Sequence, residues 1–405
     1  MIDRRTRRLP WGADTTTPFS LASERMLAGG RVAWDLSRVD PAAVGLGPST
    51  AWVREHLARG FDPGLRPHPA GAPEAREAIA RYYARRGAEL SPDQLVLSAS
   101  TSEAYTWLFK LLCEVGEAVA APCPSYPLFD QLATLEGITL LPYQLLRQGG
   151  GWELDLQSVA DTLAAGARAV LVVQPANPTG WIPSASERAA LVSLCAEAGA
   201  ALIVDEVFLD YGPAQSFAGE EGCLTFTLSG LSKVAALPQL KCGWIAASGP
   251  GAPDQLRRLL FAADAFLSVN GPVQGALPGL LDGLEPIQAP IRARLAANRD
   301  TLMGLWRPES AWDLVSAPAG WYALLRLPRV QSSEDWAIEL LAHAGVLCHP
   351  GSFYGLPEAQ LVLSLLCEEA ELAEGVAALL DAVEAKVGAA ECPTSGRARP
   401  QPRPL

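Results

Sequence analysis

A lysine able to do chemistry stands at position 233, inside the stretch LSGLSKVAALPQLKCGW that begins at Leu228. The residues ahead of it, CLTFTL from Cys223, alternate apolar and hydroxyl side chains as a strand does, and Ser229 and Gly230 break that pattern into a turn. Lys233 therefore leaves a strand, flanked by Ser232 and an apolar run rather than by carboxylates. Desolvation at such a place lowers the pKa of an ammonium group, and the neutral amine is a nucleophile. Lys241 follows and opens a second strand-like run, CGWIAA.

Other chemistry-bearing residues sit where apolar runs end. SASTSEA, from Ser98, joins a strand to a helix through Ser100, Thr101 and Ser102. Free N–H groups at a helix start cradle anions, and the same residue types also serve as ordinary caps. PCPSYP, from Pro122, holds Tyr126 between prolines, where a ring stacks on a flat ligand or simply packs. QPANPTG, from Gln174, presents Asn177 in a proline-rich turn, an amide placed to donate to a ligand oxygen. ALIVDEVF, from Ala201, ends in Asp205, and a carboxylate buried there is costly unless it meets donors or a cation. A protonated ring nitrogen is one such cation.

The elements that must position these residues alternate regularly. Strands are expected at 95–98, 118–121, 138–141, 169–173 and 201–204, with helices at 101–113, 126–135, 156–164 and 184–197. Short, continuously apolar strands between helices imply an α/β fold, a mainly parallel sheet covered on both faces, with ligands at the strand C-terminal ends. Beyond Lys241 the pattern shifts to helices at 255–266 and 288–305, then strands at 320–327, 346–348 and 361–366 with helices at 334–344 and 368–387. That reads as a smaller α+β domain. The expected division is an N-terminal arm and part of the small domain at 1–50, a large domain at 51–285, a small C-terminal domain with its linking helix at 286–388, and a disordered tail at 389–405. Residues 1–30 show little periodicity, and DTTTP from Asp14 reads as an extended arm.

Composition narrows the partners. The 405 residues are 49% hydrophobic, enough for a large core and a second, smaller one. With 32 basic and 44 acidic side chains the net charge is -12, which argues against nucleic-acid and anionic-membrane surfaces despite the cluster Arg4, Arg5, Arg7 and Arg8. No apolar run reaches spanning length, and the eight cysteines lack paired metal-ligand spacing, so a cytoplasmic location without disulfides or metal is expected.

A phosphate site at a helix start, a flat stacker, an oxygen partner, an acid for a ring nitrogen and an accessible lysine are together the parts that hold pyridoxal 5'-phosphate. In the order ANPTG at Asn177, DEV at Asp205 and SK at Ser232 and Lys233, the sequence resembles the class I/II aminotransferase family of fold type I pyridoxal phosphate enzymes over residues 51–387. The resemblance implies an aspartate-aminotransferase-like fold, a three-layer α/β/α large domain, and a homodimer with residues near Arg66 and His68 reaching the neighbour's site. It implies Lys233 as the attachment lysine and proton carrier, Asp205 on the pyridinium nitrogen, Asn177 on the ring oxygen and Tyr126 on the ring face. Ser100, Thr101, Ser102, Ser232 and Lys241 would take the phosphate. The reaction implied is transfer of an amino group from an amino acid or related amine to a keto acid. The same cofactor also serves C–S lyases, decarboxylases and oxidases of this fold, or a sensor without turnover.

The chain departs from that family pattern at several positions. Phe208 replaces a tyrosine that bonds the ring oxygen, Gly230 a phosphate-binding hydroxyl, and Lys241 an arginine. Arg66 stands where a tyrosine usually reaches the partner's phosphate. The strand LVLSLL from Leu361 lacks the arginine that forks onto a substrate carboxylate, with Leu363 in its place; Arg326, Arg66 and Arg147 are candidate replacements.

Overall fold

The computed structural model describes residues 16–391 apart from 63, 65, 149, 150, 308, 316 and 358. Its centre is an eight-stranded sheet in the order Leu95–Ser98, Gly243–Ser248, Thr225–Gly230, Ala201–Asp205, Ala167–Val173, Ala118–Cys123, Thr139–Gln148 and Gly151–Leu154. The middle strands run parallel, whereas Gly243–Ser248 is antiparallel to both its neighbours and Gly151–Leu154 folds back on Thr139–Gln148. The strands are apolar throughout because both faces are covered. Ala169, Leu171, Ala201 and Ile203 point into the core formed with helices Thr101–Leu112, Leu128–Glu136 and Ala252–Phe266. Val170, Val172, Leu202 and Val204 point the other way, towards Val159 and Leu191 of helices Leu156–Ala164 and Ala185–Ala198. Each valine, leucine or isoleucine among them contributes roughly 1.5–3 kcal/mol by leaving water.

A smaller antiparallel sheet orders Asp313–Val315, Tyr322–Arg326, Gln360–Ser364 and His349–Pro350. Beside it Trp34–Asp35 pairs in parallel with Val346–Leu347, and the Ser364 N–H donates to the Leu36 carbonyl at 2.7 Å. Helix Glu285–Leu305 joins the two layers. Its Asn298 is fully buried and donates to the Leu365 and Cys367 carbonyls, 2.8 Å each, satisfying backbone that leaves the small sheet.

Three segments differ from the sequence expectation. Residues 18–28, given no element from sequence, form helix Pro18–Ala28, because Thr17 accepts from the Ser20 N–H and Pro18 occupies the first turn, where it is tolerated. Helix Glu369–Glu391 continues through residues 389–391, assigned above to a disordered tail; the rest of that tail and the arginine cluster at 4–8 lie outside the described residues. The unexpected element is helix Gly271–Asp282, rich in glycine and interrupted by Pro278. It packs on helix Thr50–Arg59 so tightly that a Cβ at Gly275 would lie 2.2 Å from the Gly60 carbonyl oxygen. Its glycines are contact surface rather than helix breakers.

Candidate active site

Asp205 ends the Ala201–Asp205 strand in the middle of the large sheet and is only 7% exposed. Two donors hold it: the Tyr105 hydroxyl at 2.8 Å and the Val207 N–H at 3.0 Å. Burial nevertheless outweighs those donors and the nearby Lys233 charge, and pushes the carboxyl up to about 6.

Lys233 lies in a single helical turn, Leu231–Val234, directly after strand Thr225–Gly230. The turn is pinned by its carbonyls. The Tyr211 hydroxyl donates to the Lys233 carbonyl at 2.8 Å, and Gln288 Nε2 donates to the Val234 carbonyl at 2.8 Å and to Asp210 Oδ2 at 2.7 Å. Asp210 in turn accepts from Arg86 and from the Tyr82 hydroxyl. The Lys233 amine lies 4.8 Å from the Trp321 ring centroid and 5.7 Å from that of Phe208. Desolvation lowers its pKa to about 8, opposed first by Asp40 and then by Asp205.

The crossing beneath this turn also explains Gly230. A Cβ there would meet the Cys242 carbonyl oxygen at 2.8 Å and the Gly243 Cα at 3.0 Å, and one on Gly243 would meet the Thr101 nitrogen at 3.1 Å. Backbone packs on backbone, leaving no room for a side-chain hydroxyl at 230.

Asp205 and Lys233 share a cavity of about 300 Å³ with Thr101, Ser102, Tyr126, Asn177 and Ser232. Those site residues predicted from sequence are thus brought together. Ser100 and Lys241 stand outside the wall: Ser100 caps helix Thr101–Leu112 by accepting from the Glu103 N–H, and Lys241 is exposed with left-handed backbone, φ 51°. Residues that sequence reasoning did not single out complete the wall. Tyr322, His349 and Tyr354 come from the small sheet and the turn after it, and Val39 from the chain leaving the Trp34–Asp35 strand. Tyr105 alone had a local signal, one helical turn beyond Thr101.

The small-sheet register corrects one assignment. Tyr322 lies opposite Ser364, and His349 opposite Val362, so the face carrying these cavity residues carries Val362, not Leu363. Leu363 points to the other side, fully buried. Of the candidate replacement arginines, Arg326 and Arg147 both pair with Asp313, and Arg66 is exposed; none lines the cavity.

The site has unmet polar demands. The Asn177 side-chain oxygen is buried without a partner, and its nitrogen reaches only the Tyr322 hydroxyl at 3.5 Å. Burial holds Asp205 above the usual carboxylate range despite its two donors and Lys233. A ring with a protonated nitrogen for Asp205, an oxygen to accept from the loosely engaged Asn177 N–H and an aldehyde open to an amine suits these groups, as pyridoxal phosphate does.

Comparison with known proteins gives the same answer. The sequence model of the family aminotransferase class I and II matches residues 48–379. LL-diaminopimelate aminotransferase of Desulforudis audaxviator is 29% identical over 334 residues, covering 78% of this chain and 83% of that protein. The probable aspartate/prephenate aminotransferase of Aquifex aeolicus is 26% identical over 336 residues, 78% of this chain and 82% of the other. Among solved structures, alanine aminotransferase from Pyrococcus furiosus superposes with a TM-score of 0.85 at 20% identity, over 94% of this chain and all of that one. The chain belongs to the class I and II aminotransferase family and is a pyridoxal phosphate-dependent aminotransferase.

Proposed function

We propose that Lys233 is the attachment lysine of this aminotransferase and, once released, the base that moves the proton at the substrate carbon. The observation that carries this reading is the pairing of a desolvated amine with a buried, under-compensated carboxylate in one cavity. With a pKa of about 8, the amine is neutral in about one molecule in ten at pH 7, against roughly one in three thousand for an ordinary lysine. Asp205 would hold the protonated ring nitrogen, with Tyr105 and the Val207 N–H fixing its orientation. When bound, the cofactor supplies the electron sink that stabilises negative charge at the substrate carbon. Asn177 would donate to the ring oxygen, while Tyr126 would cover the ring face and exclude water. Thr101, Ser102 and Ser232 would hold the phosphate at the rim, with Ser100 and Lys241 just outside it.

Two further features belong to the proposal. A homodimer is supported by Phe261, Phe266 and Leu267, apolar and exposed along and just beyond one helix, as contact surface is. A cytoplasmic location is supported by the described cysteines, all free thiols, and by the absence, among the described residues, of any helix long and apolar enough to cross a membrane.

The test is optical. Protein loaded with pyridoxal phosphate should show a visible band that survives dialysis, and Lys233→Ala should lose it. Adding an amino donor should bleach the band with one equivalent of carbonyl product. A wild type that stays colourless refutes the assignment of Lys233.

A further inference from the structure

The charge inventory of the cavity points to the class of amino donor; this inference rests on the amino-transfer reading above. Among the described lining residues the ionisable groups that can carry charge near neutrality are Asp205, Lys233 and His349. Asp205 is anionic and Lys233 is the reacting amine. His349 is tied to the Tyr354 hydroxyl at 2.9 Å, and burial holds its imidazole below the usual value, so it is neutral at pH 7. No arginine among the described residues of this chain lines the wall, and Val362 occupies the small-sheet position on the His349 face. Arg326 and Arg147 are both engaged by Asp313. The remainder of the wall is apolar or neutral, with Val39, Leu128, Phe129, Val207 and Phe208 beside four tyrosines.

A carboxylate brought into this space would lose its hydration without meeting a fixed cation on the described wall. Asp40 acts on Lys233 more strongly than Asp205 does, and adds negative potential there. Such a potential favours entry of an ammonium group and disfavours entry of an anion. We infer that the amino donor is a primary amine with an apolar body and no carboxylate on the nitrogen-bearing carbon. Its product is then an aldehyde. The half-reaction balances: the donor gives its nitrogen and two electrons to the cofactor and takes up the aldehyde oxygen, and the water released on condensation is consumed on hydrolysis.

The experiment uses cofactor-loaded wild-type protein and matched donors, 2-phenylethylamine against L-phenylalanine and 3-methylbutylamine against L-leucine. The rate of bleaching per donor concentration and the product, aldehyde or keto acid, are both read. Each amine is expected to react at least about ten-fold faster than its amino acid, the factor set by one missing charged hydrogen bond. Amino acids reacting as fast or faster overturn the inference, and loss of that reactivity in Arg66→Ala would identify the cation it overlooked. If neither member of a pair reacts while the Lys233-dependent band is present, the donor class is wrong and the attachment reading survives. A wild type without the band sinks both. As a second readout, calorimetric titration with 3-phenylpropionate should give no saturable binding; micromolar affinity for that carboxylate overturns the inference without any turnover.

Discussion

The two ionisable residues at the centre of the site are each held in an environment that opposes their charge, and each has a measurable consequence. Asp205 binds its proton more tightly folded than unfolded, since burial raises it from 3.8 to about 6. Its favourable contribution is therefore complete below the unfolded value and is lost as pH rises through about 6. Without cofactor, Asp205→Asn should be more stable than wild type above pH 6, by roughly 1–3 kcal/mol, with the gap closing towards pH 4. Loading pyridoxal phosphate should raise the melting temperature of the wild type more than that of the variant. Lys233 should titrate with a midpoint near 8 in the cofactor-free protein, read by the pH dependence of its reductive methylation. Asp40→Asn should move that midpoint down, because Asp40 is the charge that most stabilises the ammonium form. The residues Lys233, Asp205, Asn177 and Tyr126 were legible because each stands where an apolar run stops. Tyr322, His349 and Tyr354 were not, since they reach the cavity from a different sheet and carry no mark of it in their own neighbourhoods.

At the scale of elements, the Lys233 turn is too short to hold itself, and its stiffness comes from Tyr211 and Gln288. Gln288→Leu should leave binding of the donor nearly unchanged while lowering kcat by about ten-fold, since a small displacement of the base costs rate rather than affinity. A stopped-flow separation of KM from kcat, with the absorbance pH titration of the loaded protein, checks this; equal loss in both would mean general unfolding. Gly275→Leu should destabilise the fold by roughly 1–3 kcal/mol or more, as overpacking does, because Gly60 backbone occupies the space its side chain would need. The β/α alternation of the large layer was readable from apolar runs, whereas helix Gly271–Asp282 was not. Its composition obeys the demand of a close helix contact and so disobeys helix propensity, a conflict that only the neighbouring chain resolves. The strand Gly243–Ser248 was readable from its apolar run, but its antiparallel direction was not: apolar runs report burial, not direction.

Across the whole molecule, the cavity is walled by strand ends of the large sheet, by the small sheet, and by residues just after the Trp34–Asp35 strand. The turn at 123–126 is fastened to the far side by the Ser125 N–H on the Tyr354 carbonyl at 2.8 Å and by the Cys123 thiol on the Gly355 carbonyl. Among the described residues, the chain from Trp34 to Leu36 finds its long-range partners in residues 345–374, so the strand that leads to Val39 and Asp40 stays unpaired until those residues exist. During ribosomal synthesis the early strap must wait, unpaired, while the whole central sheet is made and folded behind it. The vitamin pocket is thus sealed by a segment made early closing on one made about three hundred residues later.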